Sequence, residues 1–204
     1  MNYYPIFLDL RGKPCLVVGG GEIGARKVEG LLSAGANVTV ISPEASEMIQ
    51  RHAESNRLRY VKRPYRDGDL KGYFLAYAAT GIAEIDARMV WEAYTHGVLL
   101  NVVDRPVLCN FITPAVVQRG DLSIAVSTGG KSPGFAKRVK QKIETLIHPE
   151  YGSALAALAA QRRALMQDWS INEVKRRARL AEDLELIWKK LESASRVGHE
   201  ENFR

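Results

Sequence analysis

Gly19, Gly21 and Gly24 stand in the spacing G-x-G-x-x-G directly after the apolar run Cys15-Leu16-Val17-Val18. The chemistry such a turn serves is capture of a pyrophosphate. The first glycine permits a tight exit from a strand, the second removes a Cβ that would block the phosphates, and the third lets the following helix pack closely on the strand. The helix N-terminus then offers unpaired N–H groups and a partial positive charge. The triplet alone proves little, so its context matters. Here a strand-like run precedes it, and a helical segment over Glu22 to Ala34 follows with Val28, Leu31 and Leu32 on one face. Gly35-Ala36 ends that helix before a second β-branched run, Val38-Thr39-Val40-Ile41. An empty glycine-rich turn is the bland alternative, and three correctly spaced glycines argue against it.

A dinucleotide fingerprint also carries an acidic residue after the second strand, to bond the ribose hydroxyls of NAD. This chain has Ser42-Pro43-Glu44 there. Glu44 lies slightly late, and Ser42 or backbone groups are alternatives for the same task. No arginine immediately follows the strand to hold a 2′-phosphate. The residues by themselves leave NAD and NADP both open.

The elements that position these groups follow from the hydrophobic pattern. Ile6 to Leu10 is a short apolar lead-in, and Arg11-Gly12-Lys13-Pro14 turns into the first strand. A helix from Pro43 to about Glu54, a strand at Leu58 to Lys62, a strand at Phe74 to Thr80, a helix from about Ala83 to His96 and a strand at Val98 to Val103 complete the alternation. Strands alternating with helices make an α/β fold, a Rossmann-like doubly wound parallel sheet over residues 1–112. Ligands bind outside the carboxyl ends of such strands. That rule gathers Gly19 to Gly24, Ser42, Thr80 and Asn101 to Asp104 on one edge.

The pattern changes after Arg105-Pro106. Phe111 to Pro114 and Leu122 to Ser127 are strand-like, with a turn at Arg119-Gly120-Asp121 between them. Ser132 as cap and Pro133 at the first helical position start a helix with Phe135, Val139 and Ile143 on an apolar face and Lys137, Arg138, Lys140 and Lys142 around the rest. A small α+β unit therefore occupies 113–148, and a helical region 149–204 follows. In that region Leu155 to Met166 fits one helix, and Ser170-Ile171-Asn172-Glu173 has the capping-box spacing to open another. A disordered tail is expected from about Ser195.

Composition narrows the class. With 204 residues, 46% hydrophobic and 25% charged, the chain suits one α/β domain and something smaller. No apolar run is long enough for a membrane span, and the N-terminus lacks the blocks of a secretion signal, which places the chain in the cytoplasm. Cys15 and Cys109 are too few for a disulfide scaffold or a zinc site. A net charge of +6 suits an anionic partner without choosing among them.

Pro5 to Leu10, Val17-Val18-Gly19-Gly20-Gly21, Ala25-Arg26-Lys27, Asn101-Val102-Val103-Asp104, Pro114-Ala115, Arg119-Gly120 and Ser127 to Pro133 together resemble the siroheme synthase family, in its precorrin-2 dehydrogenase/sirohydrochlorin ferrochelatase module. The resemblance spans about Pro5 to His148. The family's fused methyltransferase domain is absent, which suggests a stand-alone form. The resemblance implies NAD-dependent oxidation of precorrin-2 to sirohydrochlorin, and in some members insertion of Fe²⁺ into that product. It implies Asp104 as the catalytic carboxylate, Glu22, Ile23, Pro43 and Glu44 as further cofactor contacts beside Gly19, Gly21, Gly24, Ser42 and Thr80, and Asn101, Arg105, Arg119, Lys131 and Lys137 as candidates to hold the anionic tetrapyrrole. It also implies a homodimer joined through 113–148, consistent with the exposed-edge liability of the strand Leu122 to Val126. Thr128 stands where some members carry a phosphorylatable serine, and Gly81-Ile82 where an acidic residue is usual. No His/Cys cluster marks an iron site, and His96 and His148 are more readily structural. Two competing readings are a dehydrogenase of another small substrate, which would want a Tyr-x-x-x-Lys pair or a His base that is not evident, and an NAD(H)-sensing regulator on DNA. Neither nucleic acid nor membrane is expected as a partner.

Overall fold

The computed structural model describes residues 3–200, with side chains described as far as Ser193. The chain divides into two compact units, Met1–Ile112 and Thr113–Arg204.

In the first unit β1 (Pro14–Val18), β2 (Asn37–Ile41), β3 (Arg59–Val61), β4 (Leu75–Ala78) and β5 (Leu99–Val102) form one parallel sheet in the order β3-β2-β1-β4-β5. The central strand is buried on both faces, which is why it reads as an unbroken apolar run. Side chains alternate across it. Cys15 and Val17 pack with Val28 and Leu31 of α1 (Glu22–Ser33) and Ile49 of α2 (Glu47–Glu54), whereas Leu16 and Val18 pack with Met89 and Ala93 of α3 (Ala83–His96). Burial pushes the Cys15 thiol up to about 11, in keeping with a core role. Because the chain leaves β1 for β2 on one side and returns to β4 on the other, the carboxyl ends of β1 and β4 flank a switch point.

α2 begins at Glu47 and not at Pro43. The intervening loop packs on the glycine turn, where the Ser46 N–H donates to the Gly20 carbonyl at 2.8 Å, and this tertiary bond overrides the start signal of Pro43. The polar stretch between β3 and β4 is pinned rather than loose. Buried Glu92 of α3 accepts from the Gly68 and Leu70 N–H groups at 2.8 and 3.2 Å, and Arg63 makes a two-pronged pair with Asp69 at 2.7 Å.

The second unit holds an antiparallel hairpin, β6 (Ala115–Arg119) and β7 (Leu122–Val126), with α4 (Pro133–Glu144), α5 (Glu150–Gln167) and α6 (Glu173–Glu200). Phe111 and Ile112 are not part of a strand, because Phe111 turns back to β5. The expected start of α4 is present, with the Ser132 hydroxyl accepting from the Phe135 N–H at 3.2 Å. Phe135 itself is exposed, while Val139 and Ile143 are half-buried. Residues 113–148 and 149–204 lie in the same compact unit. α5 packs on both strands, and Gly152 lies so close that a Cβ there would stand 2.6 Å from the Arg119 carbonyl oxygen. α6 is capped by Asn172, whose side chain accepts from the Lys175 N–H at 2.9 Å, and not by Ser170, which bonds to Asp168. The tail expected from about Ser195 continues α6 in backbone to Glu200, and residues 201–204 lie outside the described residues.

Candidate functional site

A crevice of about 740 Å³ opens at the carboxyl edge of the first unit, lined by Gly19 to Glu22, Ser42 to Ser46, Thr80, Tyr65 and Ile85 among others. Its floor is set by close approaches. Gly19 has φ +113°, and a Cβ there would stand 2.4 Å from the Ala79 carbonyl oxygen. At Gly24 a Cβ would stand 2.2 Å from the Gly19 carbonyl oxygen, so only glycine lets α1 start this near the turn. Gly21 has no atom within 4 Å of its missing Cβ and faces open space at the N-terminus of α1. That is the cradle a pyrophosphate needs.

Ser42 is buried, with its carbonyl accepting from the Tyr60 hydroxyl at 3.0 Å, and Pro43 and Glu44 are exposed on the crevice rim. Thr80 accepts from the Ile82 N–H through its hydroxyl at 3.1 Å. Two contributors were not foreseen. Gly20 lets the Glu44 backbone lie against the turn, since a Cβ would meet the Glu44 carbonyl oxygen at 2.1 Å. Ser46, at the cap of α2, makes no capping bond, and its buried hydroxyl has no partner among the described residues. An orphaned hydroxyl in a glycine-floored crevice fits the ribose hydroxyls and phosphates of a dinucleotide. A serine just ahead of a helix was the available signal, hidden by the early helix start read at Pro43.

At the end of β5 the chain turns sharply, the Arg105 N–H donating to the Val102 carbonyl at 3.2 Å. Asp104 holds φ +60° in that turn and is exposed. A non-glycine residue in this conformation costs energy, and such positions concentrate at functional sites. The turn is fastened from two sides. Cys109 accepts from the Val102 N–H and donates toward the Val102 and Arg105 carbonyls through its sulfur at 3.2 to 3.4 Å. Arg105 pairs at 3.4 Å with Asp86 of α3, whose carboxyl is pushed up by burial and pulled down by Arg105 and the Thr80 hydroxyl, with burial prevailing. Asn101 donates its side-chain amide to the Phe111 carbonyl at 3.0 Å. Lys27 of α1 lies half-buried with its ammonium 5.1 Å from the centre of the Tyr77 ring. Burial and the neighbouring Arg26 pull its pKa down, against the pull of Asp104 and Cys109.

Residues 6–115 match the family model described as putative NAD(P)-binding, and residues 119–146 match the one described as sirohaem biosynthesis protein central. The chain belongs to the NAD(P)-binding family of the siroheme synthase N-terminal module. It is 43% identical over 176 residues to a siroheme synthase of Methylobacillus flagellatus, covering 86% of this chain and 38% of that one. A siroheme synthase of Methylococcus capsulatus is 45% identical over 163 residues, covering 80% and 34%. The module thus spans little more than a third of the curated relatives it matches. Among solved structures it is similar to SirC, described as a precorrin-2 dehydrogenase, with a TM-score of 0.78 and 27% identity over 94% of this chain and 100% of that one.

Three other candidate residues lie in the second unit. Arg119 directs its guanidinium to backbone carbonyls, Ile147 at 2.8 Å, Gln118 at 3.0 Å and Glu144 at 3.4 Å, and so caps the end of α4. Lys131 sits in an exposed loop that Thr128 closes by donating to the Ser132 carbonyl and accepting from its N–H, at 3.0 and 3.1 Å. Lys137 is exposed on α4. Among the described residues no group of three or more His, Cys, Asp or Glu side chains could hold a metal ion, and no helix is long and apolar enough to cross a membrane.

Proposed function

We propose that this chain oxidises precorrin-2 to sirohydrochlorin with NAD⁺, as a homodimer working in the cytoplasm. The observation that carries the reading is the pairing, on one sheet edge, of a glycine-floored crevice with an aspartate held at φ +60° beyond β5. The likeness to SirC over 94% of the chain supports the substrate, and two free thiols suit a reducing compartment.

NAD⁺, when bound, supplies the hydride acceptor. The residues of this chain do the rest. Gly19, Gly21 and Gly24 shape the phosphate cradle at the head of α1, with Glu22 and Ile23 in its first turn, while Ser42, Pro43, Glu44, Ser46 and Thr80 line the wall beside it. The oxidation removes a hydride and a proton from the macrocycle, and the carboxylate of Asp104 takes the proton, since a positioned carboxylate serves as a general base. Asp104 is aimed by its turn, which Cys109 and the Arg105–Asp86 pair keep in place. Asn101, Arg105, Arg119, Lys131 and Lys137 are the proposed contacts to the substrate's carboxylates, Arg105 and Arg119 in addition to their structural bonds. Pairing of two chains through 113–148 would cover the open hairpin.

The test is an anaerobic mixture of the protein with precorrin-2 and NAD⁺, following NADH and sirohydrochlorin absorbance, first without metal and then with Fe²⁺ or Co²⁺. Stoichiometric NADH and sirohydrochlorin without metal is the expected outcome. No NADH under conditions where NAD⁺ binds would remove the reading, and the metal arm decides whether insertion belongs to this chain as well.

A further inference from the structure

Lys27 stands in the second turn of α1 and reaches over β4 on the face of the sheet that α1 covers. Its ammonium lies 5.1 Å from the centre of the Tyr77 ring. That ring is itself fixed, meeting Phe111 edge to face at 5.6 Å, and Tyr77 lies opposite Asn101 in the β4–β5 register. Asn101 in turn holds the Phe111 carbonyl at 3.0 Å. The three residues form a rigid wall that decides where the ammonium sits.

The cation is half-buried, yet among the described residues no carboxylate forms an ion pair with it. Asp104, just beyond the end of β5, and Cys109 are the groups that favour its charged form. A partly dehydrated ammonium held over a ring face, with no ion pair among the described residues, has given up hydrogen-bond acceptors it had in water. A lysine that merely covers core with its stem would keep its head hydrated. Lys27 is not among the residues that line the dinucleotide crevice.

We infer that Lys27 receives a carboxylate of the substrate beside Asp104 and thereby fixes which part of the macrocycle meets the proton acceptor. The inference rests on the proposed oxidation of a polycarboxylate tetrapyrrole and adds a specificity residue to it. Lys27 acts by orientation, and Asp104 by proton transfer.

The experiment compares wild type with Lys27→Met, which keeps the stem and loses the charge, Lys27→Gln, and Lys27→Arg, which keeps the charge. Loss of one charge-assisted contact predicts a KM for precorrin-2 raised roughly 10-fold or more in Lys27→Met and Lys27→Gln, a kcat lowered with it because the macrocycle is no longer held against Asp104, and a flatter dependence of KM on ionic strength. Lys27→Arg should stay within a few-fold of wild type. The NAD⁺ affinity and the melting temperature of each variant confirm that the crevice and fold persist. A folded, NAD⁺-binding Lys27→Met or Lys27→Gln with wild-type KM would overturn the inference. If wild type itself fails to oxidise precorrin-2, the functional reading fails separately. The site is then probed by fluorescence quenching with uroporphyrin, where roughly 10-fold weaker binding to Lys27→Met upholds the anion site and equal binding removes it.

Discussion

Asp104 sits in a backbone conformation that glycine would occupy without strain, and the sequence offers Asn101-Val102-Val103-Asp104 as the end of a strand with no hint of it. Under the proposed function the aspartate stands there for its carboxyl and not for its fit to the turn. Asp104→Gly should therefore raise stability by about 1 kcal/mol in urea titration while abolishing oxidation, and a destabilised variant would show that the side chain supports the turn. Gly19 and Gly24 were legible because each answers to a close backbone approach that the motif spacing announces, and Gly21 because the same spacing leaves its missing Cβ facing open space at the head of α1. Gly24→Ala places a methyl 2.2 Å from the Gly19 carbonyl oxygen, so the turn must move. An NADH fluorescence titration should show affinity reduced at least about 10-fold, the order expected when a backbone cradle is displaced. Ser46 and Cys109 were not legible. Their roles arise from contacts across the fold that spacing along the chain does not encode.

At the level of elements, β1 and β4 were readable from their apolar runs, since strands covered on both faces leave few polar positions to confuse the pattern, while β2, β3 and β5 carry Thr39, Arg59 and Asn101 within runs still rich in β-branched and aromatic residues. Boundaries failed at Ser46, where a long-range bond to Gly20 competes with the local signal, and at Asn172, where one local cap replaces another because Ser170 bonds back to Asp168. The connection from β3 to β4 reads as a polar loop, yet it carries a pH-sensitive fastening. Burial pushes the Asp69 carboxyl up, but the Arg63 fork, the Arg66 N–H and the nearby cations outweigh it and hold the carboxyl below its ordinary value. A folded value below the unfolded one means that the contribution is present above about pH 4 and is lost as pH falls through the folded value. Asp69→Asn should cost about 1 to 3 kcal/mol at pH 7 and flatten the acid limb of the stability curve, and an unchanged acid limb would exclude the pair as its source. Arg119→Ala should uncap α4 and lower stability by about 1 to 2 kcal/mol while NAD⁺ affinity stays constant. Removal of Arg119 as a proposed substrate contact should also raise the KM for precorrin-2, and an unchanged KM would leave it with the cap alone.

Taken whole, the molecule distributes its core unevenly. The first unit has a thick interior on both faces of its sheet, whereas among the described residues of the second only Val117 and Ala136 are buried hydrophobics, and Phe135 and Leu146 are 63% and 49% exposed. A two-stranded hairpin with so little interior gains from a second copy. Light scattering should give about twice the 22.7 kDa chain mass, and a monomer at micromolar concentration would remove the dimer from the proposal. The central claim joins the dinucleotide crevice to the carboxylate beyond β5, and one measurement addresses both. With Asp104→Ala, NAD⁺ should bind within twofold of wild type while the rate of NADH formation from precorrin-2 falls by roughly 100-fold or more. Unaltered turnover in that variant would contradict the assignment.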